Sequence, residues 1–508
     1  MSDTQSAVID WLMDPATHGG VAPEHVETHG AHVFLSGDLA YKIKRSVRYD
    51  YMDFSTLELR EQMLRRELDL NRPAAPGIYL DVLPITRAGQ GFAFGGTSAP
   101  VEWVLKMRRF PAGNELSAVA ERNALTDDLA REMGRSVAGF HAQAPERAGD
   151  GAALMAAIVE ELDDAFAGMT DELGAGPVAA FSRLARGALA DIAPQLTARS
   201  QDGRLRRCHG DLHLRNMVLI DGRPVPFDAL EFDEVLGTCD VLYDLAFLIM
   251  DLLHRDLGRA ACVTLDAWLF EASGAEDAGL SALPFFLGIR AGIRAMVDVQ
   301  TGRAAHDELA ADADARIYMQ QALAFLESER PRLIAVGGPS GTGKTTLARL
   351  LAPAVGAAPG AVHLRSDLER KALAGVDPMT HLPPEAYTPE AGRAVYDRLF
   401  DRAGTLLGAG RTVILDATFL AEDERRAVAD LAGSKGVPFA GLWLEAPAET
   451  LKTRVSARTG DASDADAAVV ARQLESGAGA VEWSRVDAGT SLAEMEDRAR
   501  AILDARPA

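Results

Sequence analysis

The sequence predicts two domains of different fold class: an α+β domain over residues 1–330, then an α/β domain with a parallel sheet over residues 331–508. Three observations carry this. In the first part, short strand patterns give way to long Ala-rich helical stretches. That pattern stops at Glu329-Arg330-Pro331-Arg332, where proline cannot continue a helix. From Leu333 onward, strands and helices alternate, which implies a parallel sheet covered by helices on both faces. A length of 508 residues allows more than one core, and 48% hydrophobic with 25% charged residues is an ordinary globular composition.

Taken in order, residues 1–30 begin with a short helix whose apolar face is Val8, Trp11 and Leu12. Pro15, Gly19, Gly20 and Pro23 then break the pattern into a loop. Residues 32–35 and 39–47 read as a hairpin around Ser36-Gly37-Asp38. Residues 55–72 place Leu57, Leu64 and Leu68 at helical spacing. Strands follow at 78–85 and 101–108, then helices over 116–199 with a Gly/Pro turn at 170–177, and a polar helix over 303–330. No internal repeat is visible.

No apolar run reaches the length of a membrane span, and residues 1–10 lack a basic stretch followed by an apolar core. Three cysteines (Cys208, Cys239, Cys262) make no disulfide framework. A cytoplasmic protein is expected. The net charge is −22; residues 332–508 carry 21 Lys+Arg and 24 Asp+Glu, a net of −3, which leaves −19 for the first 331 residues. An acidic first part argues against a nucleic-acid groove.

The most informative stretch reads His209-Gly210-Asp211-Leu212-His213-Leu214-Arg215-Asn216. An apolar hairpin turning at Asp221-Gly222 follows, then Phe227-Asp228. Phosphoryl transfer needs a carboxylate to take the proton of the attacking hydroxyl, and oxygen ligands to hold Mg2+ on the nucleotide phosphates. The Asp-to-Asn spacing is that of the H-R-D-x-x-x-x-N loop. Asp211 is thus the candidate base, and Asn216 and Asp228 the candidate metal ligands.

This stretch resembles the H-G-D-x-H-x-x-N signature of the aminoglycoside phosphotransferase and choline kinase family, and the resemblance extends over roughly residues 28–300. It implies a bilobal protein-kinase-like fold, with an N-lobe at about 28–110 and a C-lobe at about 111–330. Ala40-Tyr41-Lys42-Ile43-Lys44 is similar to the V-A-I-K strand, whose lysine contacts nucleotide phosphates. Lys42 and Lys44 share a strand face, so spacing does not choose between them; Lys42 is favoured. Glu67 is the candidate partner of that lysine, with Glu58 and Glu61 also open. There is no G-x-G-x-x-G. The resemblance puts the adenine hinge at Met107-Arg108-Arg109-Phe110. It gives Asp240 and Asp244 the role of bracing the catalytic loop. Glu231, Asp233 and Glu234 beside Asp228 suit either a second cation or plain solvation.

The second motif is Gly338-Pro339-Ser340-Gly341-Thr342-Gly343-Lys344-Thr345, between a strand and a helix that continues through Thr346. This G-x-x-x-x-G-K-T in its strand–helix context is a P-loop. Backbone N–H groups and the helix N-terminus meet the phosphates, Lys344 reaches the β- and γ-phosphates, and Thr345 ligates Mg2+. Asp416 ends a strand of the Walker-B kind and is the candidate metal acid. Arg365-Ser366-Asp367-Leu368-Glu369-Arg370 resembles the D-x-x-R element of the zeta-toxin, gluconate kinase and polynucleotide kinase group. That resemblance covers roughly residues 332–480. It implies that Asp367 activates the acceptor, Arg370 holds it, and Arg454 and Arg458 cover the ATP phosphates.

The expectation is a bifunctional ATP-dependent phosphotransferase acting on hydroxyls of small molecules, with one Mg-ATP site per domain. Alternatives are one active domain with a regulatory nucleotide-binding module, or a P-loop domain that phosphorylates nucleic-acid ends or nucleotide sugars. The sequence leaves the oligomeric state open.

Overall fold

The hairpin signals of the first hundred residues fold as their turn chemistry requires. In the computed structural model, which describes residues 3–49, 52–305, 308–327, 329–457 and 461–505, strands β1 (Glu24–Glu27), β2 (Ala31–Ser36) and β3 (Leu39–Lys44) run antiparallel. Gly37 opens the two-residue β2–β3 loop at φ 55°, a conformation that glycine enters freely. Helix α1 (Leu57–Asn71) follows, its first turn capped by the Thr56 side chain, which accepts from the Leu59 N–H. Strands β4 (Tyr79–Ala88), β5 (Gly91–Phe94) and β6 (Pro100–Arg108) complete a six-stranded antiparallel sheet of order β1-β2-β3-β6-β4-β5.

One face of this sheet packs on α1 through Leu64, Leu68, Ile78, Val82 and Leu105. The other covers Val8 and Leu12 of the helix Asp3–Met13, with Phe34, Ile43 and Val104. Helix α2 (Asp127–Gln143), the short strands β7 (Leu205–Arg207), β8 (Met217–Ile220), β9 (Arg223–Pro226) and β10 (Thr238–Asp240), and helix α3 (Val241–His254) form the rest of the site's scaffold. The β8–β9 turn has Asp221 at φ 50° and Gly222 at φ 78°, the two positive angles of a tight Asp-Gly hairpin.

Further along lie α4 (Gly258–Glu271) and the long helices Leu283–Ala305 and Glu308–Leu326. The P-loop fold then runs β11 (Leu333–Gly337), α5 (Lys344–Leu351), β12 (Val362–Arg365), α6 (Ser366–Ala374), α7 (Pro389–Gly408), β13 (Val413–Asp416), β14 (Phe439–Glu445), α8 (Ala448–Ser456), α9 (Ala467–Ser476), β15 (Ser484–Asp487) and α10 (Leu492–Asp504). Its sheet is parallel throughout, with order β12-β13-β11-β14-β15. All five residues of β11 are buried, which explains why its sequence is a continuous apolar run rather than an alternating one. The architecture is a kinase-like α+β fold followed by an α/β P-loop fold.

Strands β1, β5, β7 and β10 were absent from the sequence reading. Each has three or four residues, and β1 and β5 lie at the two edges of their sheet, where alternation is weak. The stretch 116–199 is helical as read, and it divides into five helices. The segment Ala278–Ala304 is long and apolar enough by composition to cross a membrane, although Arg290 and Arg294 interrupt it, and most of its apolar part is buried inside the protein.

By compactness the chain divides into residues 1–149 with 200–248, and residues 150–199 with 249–508. The chain pattern changes near residue 330. The packing instead groups α4 and the long helices with the P-loop fold.

Candidate active sites

In the first unit, period-two alternation puts Lys42 and Lys44 of β3 on one face, toward α1. Lys42 Nζ donates to Glu67 Oε1 at 2.7 Å, and Lys44 Nζ donates to Glu67 Oε2 at 2.7 Å. Glu67 is fully buried, so each carboxylate oxygen meets one ammonium, as burial of a charge demands. Glu61, an alternative in the sequence reading, pairs with Arg65 on the helix surface instead. The two lysines differ beyond Glu67. Lys42 also reaches Asp228 Oδ1 at 3.0 Å, whereas Lys44 donates to Glu231. Burial pulls the Lys42 ammonium pKa down, but Asp228 and then Glu67 outweigh it and hold it well above its ordinary value. Burial raises Asp228, and the Lys42 charge reverses this, so the carboxylate lies below its usual range.

The catalytic-loop candidate is fixed from behind. Asp244 on α3 is fully buried and accepts from the backbone N–H of His209 at 3.2 Å and of Gly210 at 2.8 Å. His141 at the end of α2 lies 3.1 Å from the same carboxylate. Gly210 takes φ 84°, and the His209 ring contacts the Phe227 carbonyl at 2.9 Å. The Asn216 amide donates to the Asp211 carbonyl at 2.8 Å and to Asp211 Oδ2 at 2.9 Å. This places Asp211 and Asn216 side by side and turns the amide nitrogen toward Asp211, so that a cation would meet the amide oxygen. His213 is 3.4 Å from Asp211 Oδ2. Asp228, at φ 61°, has its N–H held by the Tyr79 hydroxyl at 2.9 Å, a residue the sequence reading did not single out.

The acidic cluster after Asp228 disperses. Glu231 pairs with Lys44, Asp233 accepts from the N–H groups of Val235 and Leu236, and Glu234 pairs with Arg66, Arg147 and Arg207. These acids therefore do not converge on a second cation.

In the second unit the P-loop joins β11 to α5. Gly338 sits at φ 137°, where a Cβ would lie 2.4 Å from the Leu444 carbonyl, so only glycine fits. Gly341 and Gly343 take φ 88°. Lys344 Nζ donates to the carbonyls of Gly338 at 2.9 Å and Pro339 at 3.1 Å, and Thr342 Oγ1 donates to Pro339 O. The Ser340 N–H donates to Gln473 Oε1 of α9 at 2.8 Å. Thr346 is exposed on the first turn of α5.

Thr345 Oγ1 donates to Asp416 Oδ2 at 2.6 Å, and His363 on the neighbouring strand lies 3.2 Å from the same oxygen. Burial raises the Asp416 carboxyl pKa; its hydrogen bond and charge contact with His363, with Arg365 and Lys344, reverse this and hold it far below the usual range. A threonine hydroxyl beside a carboxylate kept ionised is a hard oxygen donor set, and it fits Mg2+. Asp228 and the Asn216 amide supply oxygens of the same hard kind in the first unit.

Asp367 is half-buried in the first turn of α6. The helix cap falls at Arg365, so Asp367 does not serve as the cap. Arg370 donates to the Ala386 carbonyl at 2.7 Å and lies over the Tyr387 ring at 4.8 Å. Arg454 is exposed and donates to the Ala488 carbonyl at 2.9 Å; Arg458 lies outside the described residues. Sequence reasoning missed His363, Arg365 and Gln473. Arg365 ends β12 at the carboxyl edge of the sheet, where ligands of open α/β folds bind, and that position was a usable signal. Nothing in the sequence marks Gln473.

Residues 333–478 match the family model described as AAA domain. The chain is 29% identical over 483 residues to an uncharacterized protein of Mycobacterium tuberculosis and to one of Mycobacterium bovis; 90% of this chain and 93% of each relative are covered. Among solved structures it is similar to a choline/ethanolamine kinase family protein from Mesorhizobium loti, with 16% identity and TM-score 0.36, over 64% of this chain and 98% of that one. It is also similar to a sugar kinase from Janibacter sp., with 24% identity and TM-score 0.28, over 34% and 95%. A gluconokinase from Sinorhizobium meliloti follows at 22% identity and TM-score 0.26, over 35% and 97%. The family model covers the P-loop fold, and the structural likenesses divide between the two folds: the choline/ethanolamine kinase family protein over 64% of the chain and the sugar kinase and gluconokinase over about a third.

Proposed function

We propose that the chain is a bifunctional ATP-dependent kinase, with one Mg-ATP site in each fold, that phosphorylates hydroxyl groups of small molecules. The observation that carries this reading is that each fold assembles its own set of phosphate cation, metal-ligand oxygens and acceptor carboxylate. In the first set these are Lys42, Asn216 with Asp228, and Asp211. In the second they are Lys344 and Thr345 with Asp416, and Asp367 on the first turn of α6 is taken as the acceptor carboxylate.

Magnesium, when bound at either set, neutralises charge that develops on the transferring phosphoryl group. The remaining work falls to the protein. Asp211, with its orientation fixed by Asn216, takes the proton of the attacking hydroxyl. Lys42, locked on Glu67, positions the nucleotide phosphates. In the second site the P-loop N–H groups and Lys344 cradle the phosphates, Asp367 takes the acceptor proton, and Arg370 orients the acceptor. The excess negative charge favours neutral or cationic alcohols over nucleic acid, and a cytoplasmic location goes with this reading.

The test is to make Asp211→Ala and Lys344→Ala separately and follow labelled phosphate from ATP onto an alcohol library and a metabolite extract. Each change removes a different set of products. If neither change lowers any turnover, the reading fails.

A further inference from the structure

Helix α6 carries Asp367 and Arg370, yet it has only nine residues and follows a strand at the edge of the sheet. A helix that short is not stable on its own. Lys371 anchors it on Asp464 at 2.6 Å, and a second hold runs through α7 to residues that precede the P-loop. Glu369, buried on α6, accepts from Arg402 Nη1 at 2.6 Å and from Arg398 Nε at 2.6 Å, both on α7. Arg402 is itself buried. Its other two nitrogens grip Asp277 as a fork, at 2.7 and 2.8 Å. Arg398 continues to the carbonyl and hydroxyl of Ser273, each at 3.1 Å.

Two arginines and two carboxylates thus close a charge-balanced network. Asp277 and Ser273 lie just after α4. The same segment also covers the edge of the sheet. The outward N–H of His363 on β12 donates to Asp266 of α4 at 3.2 Å, where a further strand would otherwise pair. Cys262 of α4 donates to the Pro359 carbonyl at 3.1 Å.

We propose that residues 258–277 are a working part of the P-loop acceptor site, and that Arg402 is the positioning residue that holds α6, and with it Asp367 and Arg370, through Glu369. This rests on reading the second site as a kinase. The P-loop module is then not separable at residue 331: cutting there strips the sheet edge of its cover and leaves Arg402 buried without Asp277, a costly loss of one partner of a buried pair.

The test uses the full chain in an Asp211→Ala background, so that transfer reports the P-loop site alone. Arg402→Met, Arg402→Lys and Asp277→Asn are compared by amide hydrogen exchange and by kinetics with an alcohol phosphorylated in the screen above. Because Arg402→Met leaves Asp277 buried and alone, the double variant Arg402→Gln with Asp277→Asn keeps a neutral hydrogen-bonded pair as a second probe. Exchange over residues 366–374 is expected to accelerate about tenfold or more in Arg402→Met and Asp277→Asn, with partial recovery in Arg402→Lys. Acceptor KM rises about tenfold, while binding of a fluorescent ATP analogue at the P-loop, taken as the difference from Lys344→Ala, shifts by less than about twofold. Unchanged exchange over residues 366–374 overturns the proposal, as does equal loss of nucleotide and acceptor binding, which is general loosening. If no alcohol is phosphorylated, the kinase reading falls by itself, and the exchange measurement still decides the anchor.

Discussion

On the proposed reading, the two sites solve one problem, the placing of a cation and carboxylates around a triphosphate, in opposite ways. The P-loop site draws its main elements from consecutive residues: Gly338 to Thr345 are one turn of chain whose shape is set by backbone angles. The first site draws Lys42, Glu67, Asp211, Asp228 and Asp244 from three separate elements and two loops, joined by charge contacts and charge-assisted hydrogen bonds. The lesson is that local geometry makes a site tolerant of its surroundings, whereas a site of distant side chains depends on each brace. Even the P-loop site becomes non-local on its proposed acceptor side, since Arg402, which pairs with Glu369 of α6, is itself held by Asp277 from far upstream.

The contrast can be broken most directly at the reacting groups. Asp211→Asn is expected to lower first-site transfer by about 10²–10⁴-fold, the usual worth of a general base. Products that depend on Lys344 should be unaffected, and product-resolved turnover checks both. A smaller but global effect is expected from Glu67→Gln. It leaves Lys42 and Lys44 facing a neutral amide in a buried place, at a cost of about 1.5–3 kcal/mol, since Asp228 and Glu231 still meet the two charges. Denaturant unfolding that reports the first unit should show this, with no equivalent effect from substituting any one P-loop side chain.

Asp244→Asn sharpens the comparison. The carboxylate holds two N–H groups of the catalytic loop, and hydrogen bonds to a charged group are worth about 1.5–3 kcal/mol. Turnover at the first site should fall about 10–100-fold with the ATP KM nearly unchanged, because the phosphate cation Lys42 is untouched. A matching rise in ATP KM would place Asp244 in nucleotide binding instead.

The smallest effect concerns pH. Burial raises the Asp266 carboxyl from 3.8 to about 7, against the opposing pull of the His363 N–H and of Arg349 and Arg402. The folded second unit therefore binds this proton more tightly than the unfolded chain does. The resulting stabilisation is fully present below about 4 and is lost as pH rises through about 7. Melting temperature against pH should decline over that window, and Asp266→Asn should flatten the decline.

Much of this was legible in the sequence because it is local. The hairpins at Gly37 and Asp221-Gly222, the P-loop, and the Asp211–Asn216 spacing are all written in neighbouring residues. Asp244 was assigned its bracing role on resemblance, and the structure supplies the two N–H groups it holds. Lys42 and Lys44 could not be separated by spacing, and the structure shows why: both grip Glu67, and only contacts beyond it distinguish them. The acids at 231–234 looked like one cluster, because adjacency in sequence is not convergence in space.

The sequence by itself determined the two fold classes and the residue types at each candidate site, since propensity, turn chemistry and backbone angle act over a few residues. Only the tertiary structure decided which carboxylate meets which cation, that the helices before residue 330 pack with the P-loop fold, and what holds α6. Those outcomes follow from the need to pair every buried charge and cover every open strand edge, and the partner that meets that need can lie anywhere along the chain.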